Sequence, residues 1–203
     1  MIALLDTSED LAVCASELQC DVGQLLTPLT RFRLQRPGLD WAMDNGAFCR
    51  FDEKAFLSLL QREEAHKATC RFVAAPDVVG AAQRTLEIFD KWKGRLAAWP
   101  IAFVCQDGQE ALPIPWDEIA AVFIGGTTSW KLSNHAAAII KTAKVYMGKW
   151  VHVGRVNDPS RFSHFEDLGV DSIDGSGIAR YSHMRTAIAN RHAQQVSGTL
   201  FVE

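Results

Sequence analysis

Gly169-Val170-Asp171-Ser172-Ile173-Asp174-Gly175 decides how this chain reads. Val170 to Ile173 is a short strand that stops on a carboxylate, Asp174. Gly175 and Gly177 behind it are expected to turn the backbone sharply and leave the acid uncovered. Seven other apolar runs have the same build. Ile2 to Leu5 ends at Asp6, Gln24 to Leu26 at Thr27-Pro28, and Trp41 to Met43 at Asp44. Phe72 to Ala75 ends at Pro76-Asp77, and Ile101 to Cys105 at Gln106-Asp107-Gly108. Ala121 to Ile124 ends at Gly125-Gly126, and Trp150 to Val153 at Gly154-Arg155.

Helical patterns separate these runs. One starts at Ser8, with Leu11, Ala15 and Leu18 on a single face. Asp52 caps another, with Phe56, Leu59, Leu60 and Glu63 at helical spacing. Ala81 to Leu96, Trp130 to Tyr146, Pro159 to Leu168 and Ala179 to His192 complete the set, and the connections after the second and fifth runs are short or irregular. Near-continuous apolar strands alternating with amphipathic helices imply a parallel sheet covered by helices. Eight such units favour a closed (β/α)8 barrel, a TIM-like barrel made compact by trimmed loops or missing helices, since such barrels typically need ~250 residues. An open doubly wound sheet is the alternative. No glycine-rich dinucleotide fingerprint and no phosphate-binding P-loop is present.

The 203 residues are 48% apolar and 22% charged, the composition of one globular domain spanning 1–203. No apolar run is long enough to span a bilayer, so no membrane association is expected. The N-terminus has no basic region ahead of its apolar residues, which argues against a secretory signal. Cysteines 14, 20, 49, 70 and 105 have no metal-type spacing and read as reduced thiols of a cytoplasmic protein, with no metal and no cofactor expected. The net charge of -3 divides unevenly: -6 before Thr127 and +3 from there on. A polyanionic partner would meet the C-terminal half.

In either architecture functional groups collect at the C-terminal strand ends, which here carry Asp44, Asp77, Gln106, Gly125, Gly126, Arg155 and Asp174. Two carboxylates can divide labour as nucleophile and acid/base if their surroundings separate them. Asp77 can accept from a purine's N–H groups, and Gln106 can donate and accept. Backbone N–H groups at Gly125-Gly126 can reach a carbonyl oxygen, and Phe48 can stack on a base. Asp171 falls on the other strand face from Asp174 and reads as structural. His152 reads as a core histidine, and Cys105 as a buried, inert thiol.

In this order, Asp44-Asn45-Gly46-Ala47-Phe48, Ala75-Pro76-Asp77, Val104-Cys105-Gln106-Asp107-Gly108, Phe123-Ile124-Gly125-Gly126 and Gly169 to Asp174 resemble the motifs of the tRNA-guanine transglycosylases and their DNA-acting relatives. The resemblance runs from about Asp40 to Arg180. It implies a (β/α)8 barrel that exchanges guanine for a 7-deazaguanine without cutting the polynucleotide. Asp174 would attack C1′ of the sugar and Asp44 would manage protons on the two bases. Asp77, Gln106, Asn45 and the Gly125-Gly126 main chain would read the base edge, with Phe48 as stacking platform. The C-terminal zinc site of the tRNA enzymes is absent, because no cysteine follows Cys105. Ala47 and Asp174-Gly175-Ser176 are more similar to the short DNA-guanine transglycosylases of phages and bacterial modification clusters. The implied substrate is guanine in DNA, the incoming base preQ0 or a derivative, and the setting a bacterial or phage-infected host cytoplasm, with a partner protein conceivable for delivering DNA. Arg155, Lys149, Arg180, Arg161, Arg185 and Lys131 are the candidate phosphate contacts. Exchange in tRNA, glycosyl transfer on free nucleosides or nucleotides, and a catalytically silent purine- or nucleic-acid-binding barrel stay open.

Overall fold

The computed structural model describes residues 1–199 except 31, 36, 37 and 49. Eight strands close into an all-parallel barrel in chain order, with β8 pairing β1. They are β1 (Ile2–Leu5), β2 (Val22–Leu26), β3 (Trp41–Met43), β4 (Cys70–Ala74), β5 (Ile101–Cys105), β6 (Ala121–Ile124), β7 (Trp150–Val153) and β8 (Ser172–Asp174). The helices are α1 (Leu11–Leu18), α2 (Glu53–Glu63), α3 (Ala82–Leu96), α4 (Thr128–Lys131), α5 (Asn134–Lys141), α6 (Pro159–Asp167), α7 (Ser176–Arg180) and α8 (Ser182–Thr199). The expected barrel is therefore the observed one, and the open sheet is excluded. Among the described residues no helix is long and apolar enough to cross a membrane.

Economy comes from strands of three to five residues and from two connections without an α-helix. After β2 the chain packs as a loop on buried Gln24, whose amide donates to Arg33 O and accepts from Gln35 N, both at 2.9 Å. After β5 only two single 3-10 turns, Gln109–Ala111 and Trp116–Glu118, lead to β6.

Several boundaries differ from the sequence reading. Helix α1 starts at Leu11, not Ser8, because Asp10 accepts from Ala12 N at 2.8 Å and caps it. The single helix expected over 130–146 is broken at Ser133, whose hydroxyl donates to Trp130 O and accepts from Ala136 N, ending α4 and starting α5. A wider π-type turn, Thr142–Tyr146, follows. Extended backbone at Tyr181 splits α7 from α8. Asp52 caps α2 as expected, and Phe56, Leu59, Leu60 and Glu63 are its buried face.

Side-chain alternation builds two cores. Residues facing outward pack under the helices as the larger one. Leu4, Leu25, Ala42, Phe72, Ala74, Ala102, Val104, Ala121 and Phe123 fill the barrel itself. Phe72 is fully buried on the axis, its ring centroid 6.2 Å from Phe123 and 4.9 Å from His152. Phe72→Ala is expected to cost about 3–5 kcal/mol of stability by urea unfolding. A loss below about 1 kcal/mol would mean that this interior is not close-packed.

Candidate active site

The inward register continues past the apolar layer into polar residues. Leu4 pairs with Asp174 and Phe123 with His152, so both face the barrel axis. Asp44, one step beyond Met43, donates its N–H to Leu26 O and keeps the inward phase of Ala42. The mouth is a narrow cavity, about 50 Å3 and open to solvent, lined by Asp44, Asn45, Phe48, Asp77, Gln106, Gly125, Arg155 and Asp174 among others. A second, of about 420 Å3, shares Asp44, Phe48, Arg155 and Asp174 and adds Asp6, Asn157, Arg161 and Arg180.

The three acids have different surroundings. Asp174 meets a donor at each oxygen: Arg155 N at 3.1 Å on Oδ1 and His152 Nε2 at 3.0 Å on Oδ2. Asp77 accepts from Asn45 Nδ2 at 2.8 Å and Gln106 Nε2 at 2.6 Å; burial still raises its pKa, against the pull of those two bonds. Among the described residues Asp44 is met only by the backbone of its own turn, Gly46 N at 3.4 Å and the neighbouring Asn45 N–H. Burial first, then the charges of Asp174 and Asp77, push its pKa up to about 7, although its side chain keeps some exposure to the cavity. One group is thus placed to hold or release a proton near neutrality, beside a carboxylate set up as acceptor.

Local chain chemistry positions these groups. Asn45 folds the Asp44 turn by accepting from Ala47 N and ties it to β4 by donating to Ala75 O at 2.7 Å. It supports Asp77 rather than presenting free donors to a base. Gln106 is likewise committed, its Oε1 accepting from Gly80 N at 2.8 Å. Gly125 is needed for approach: a Cβ there would lie 2.5 Å from Gln106 Nε2. Gly175 and Gly177 do not make the sharp turn expected of them, since neither has positive φ. They let the chain after Asp174 press on Asn157, whose Oδ1 would lie 2.6 Å from a Cβ on Gly175.

The structure corrects several sequence assignments. The Gly125 N–H already donates to Cys105 O at 2.9 Å, leaving Gly126 as the main-chain donor of that pair. Arg155, in a left-handed conformation (φ 60), donates to Gly125 O and Gly126 O, and its guanidinium lies 4.4 Å over the exposed Phe48 ring. It straps the mouth instead of pointing at solvent. Lys131 is buried, bonded to Gly154 O, and burial lowers its pKa to about 8. Arg185 is buried against Glu9 and Glu17 on the outside of the barrel. Lys149 precedes β7, bonded to Ile119 O at the opposite end of the barrel. Arg185 and Lys149 do not reach the mouth, and Lys131 lies buried beneath it with its ammonium committed to the Gly154 carbonyl, so none of the three is placed for a phosphate. Arg161 and Arg180 do line it.

Two residues escaped the sequence reading. Asp6, at the end of β1, lines the second cavity and accepts from Thr30 Oγ1 at 2.7 Å. Its strand-end position was the available signal. His152, read as a core histidine, is fully buried yet bonded to Asp174. Only its even spacing before Gly154 hinted at an inward side chain. Asp171 is structural as expected, bonded to Lys144 at 2.5 Å and to Val151 N at 2.8 Å. Cys14, Cys20, Cys70 and Cys105 are free thiols, while Cys49 lies outside the described residues. Burial pushes the Cys105 thiol far up. Among the described residues no group of three or more His, Cys, Asp or Glu side chains could hold a metal ion.

Fold and cavity together define a compact (β/α)8 barrel with an acidic pocket at its C-terminal mouth. Phosphoribosyl anthranilate isomerase from Thermus thermophilus shares the architecture, with a TM-score of 0.52 and 14% identity over 96% of this chain and 98% of that one. A native KDPGal structure aligns over 97% of this chain and 95% of its own at 0.49 and 12% identity. The 3-hexulose-6-phosphate synthase of Salmonella typhimurium aligns over 94% and 98% at 0.44 and 13%. At such identities the likeness is one of fold alone. No family model and no curated protein matches the chain.

Asp44 supplies a test of the electrostatics. Its pKa is higher folded than unfolded, so the folded chain holds the proton between about pH 4 and about 7. Stability from that proton is complete below the unfolded value and is lost as pH rises through about 7. Asp44→Asn is expected to gain on wild type in chemical unfolding as pH rises across this window. A stability difference that is constant with pH would contradict the burial argument.

Proposed function

We propose that this barrel is a pentosyltransferase that exchanges a guanine in DNA for a 7-deazaguanine, through a covalent Asp174–deoxyribose intermediate. The observation that carries the reading is that Asp44 and Asp174, 130 positions apart in the chain, line one cavity with Asp77 and Gln106. The ordered motifs that contain these residues add the substrate class, by resemblance.

The chemistry follows from the environments. The Asp174 carboxylate attacks C1′, the bond from C1′ to the base nitrogen breaks, and its electron pair leaves with the base. Asp44, protonated near neutrality, gives the departing base its proton and takes one from the incoming base. Attack by that base on C1′ then releases Asp174. Two displacements at one carbon retain configuration. Asp77 and Gln106 meet the base edge, exchanging part of their mutual bond for bonds to it. Phe48 and Arg155 cover the base, and Arg161 and Arg180 take the flanking phosphates. A target base in a duplex must be unstacked to reach this pocket.

A second reading, glycosyl transfer on a free nucleoside or nucleotide, is favoured by one observation. Lys149 and Arg185 are not at the mouth and Lys131 is buried beneath it, which leaves few cations for a polynucleotide. An assay that offers radiolabelled guanine with DNA, RNA and nucleosides separates the readings. Incorporation into DNA is expected, falling by at least about 10³-fold in Asp174→Asn with folding intact. Label entering only monomers would establish the second reading, and wild-type exchange by Asp174→Asn would end both. DNA affinity is also expected to fall with added salt, and a flat dependence would speak against a polynucleotide.

A further inference from the structure

A chain of hydrogen bonds runs inside the barrel to the acid that the proposed reaction uses as nucleophile. Trp150 Nε1 donates to Ser172 Oγ at 2.8 Å. Ser172 Oγ and His152 Nδ1 are 2.9 Å apart, and His152 Nε2 is 3.0 Å from Asp174 Oδ2. Ser172 and His152 have no solvent exposure. Phe72 and Phe123 flank the imidazole at centroid distances of 4.9 and 4.5 Å. An indole N–H only donates, so it fills one lone pair of the serine oxygen. An ionised carboxylate only accepts, so the ring proton sits on Nε2, facing Asp174, and Nδ1 is left to accept the serine proton. The bonding pattern assigns this tautomer.

We propose that His152, held as its Nε2–H tautomer by Ser172 and Trp150, is a positioning residue that governs release of Asp174 from the covalent intermediate. The inference rests on the glycosyl-transfer reading. In the first displacement Asp174 Oδ1 bonds C1′ and Oδ2 becomes the ester carbonyl, so the His152 bond weakens from one with a carboxylate to one with a neutral oxygen. In the second, the incoming base forms its bond to C1′, the C1′–Oδ1 bond breaks and its electron pair returns to the carboxylate. The Nε2–H stabilises that leaving carboxylate, and no proton leaves His152. Losing the donor should therefore slow breakdown more than formation.

His152→Phe, which keeps a ring and removes the donor, is expected to lower kcat roughly 10- to 100-fold, the scale of a hydrogen bond to a charged group. KM should fall with it, and glycosyl-enzyme should accumulate, seen by intact mass after denaturing quench. His152→Gln can still donate and should restore part of kcat and reduce the adduct. Nitrogen NMR of the resting protein should show the proton on Nε2 in wild type and lose that preference in Ser172→Ala. Wild-type kcat and adduct levels in folded His152→Phe, or a proton on Nδ1 in wild type, would overturn the proposal. If His152→Phe does not fold, an unchanged adduct level in Ser172→Ala overturns it. If wild type forms neither exchange product nor adduct on any substrate, the glycosyl-transfer reading fails and this role with it, while the NMR result still decides the hydrogen-bond chain separately.

Discussion

Three carboxyl groups, Asp44, Asp77 and Asp174, line one narrow cavity at the barrel mouth, and low dielectric makes three like charges there costly. The surrounding structure answers each differently. Asp174 receives one N–H from its own neighbourhood of β7 and one from His152. Asp77 receives two side-chain amides, from Asn45 and Gln106. Among the described residues no side chain donates to Asp44, which has only its own turn's backbone, and its proton is held to about pH 7. The same arrangement that limits repulsion also separates the acids chemically, and separation of paired acids is what general acid and nucleophile roles require.

That solution depends on a barrel with few residues to spare. Strands of three to five residues leave an apolar layer, with Phe72, Phe123 and Leu4 near its centre, directly beneath the polar one. Polar groups at the mouth are therefore held by the strand ends themselves and by short tethers such as Asn45 to Ala75 O. Arg155 illustrates the compression. Its backbone serves Asp174 while its guanidinium reaches the carbonyls of Gly125 and Gly126 and the Phe48 ring, so one residue joins β7, β6 and the β3 loop.

Most of the scaffold was legible in the chain. Eight apolar runs with polar stops became eight strands, and the two irregular connections fell after β2 and β5. Helix ends were less legible, because a single capping side chain moves them: Asp10 took the place of Ser8, and Ser133 divided one helical pattern into two. At the site, strand-end acids stood out because polar residues there interrupt apolar runs. The cations did not sort themselves. Lys131 and Arg185 look like surface bases in sequence and are buried, and Lys149 sits at the wrong end of β7.

The sequence by itself determined the repeating strand-and-helix pattern, the strand on which each acid ends, and the inward or outward phase of Asp174 against Asp171. All three follow from hydrophobic periodicity, which is local. Only the tertiary structure decided that β3 and β8 bring Asp44 and Asp174 to one cavity, that His152 bonds Asp174, and that Arg155 closes over Phe48. Those relations come from closing the sheet, which sets distances between residues that periodicity treats as independent.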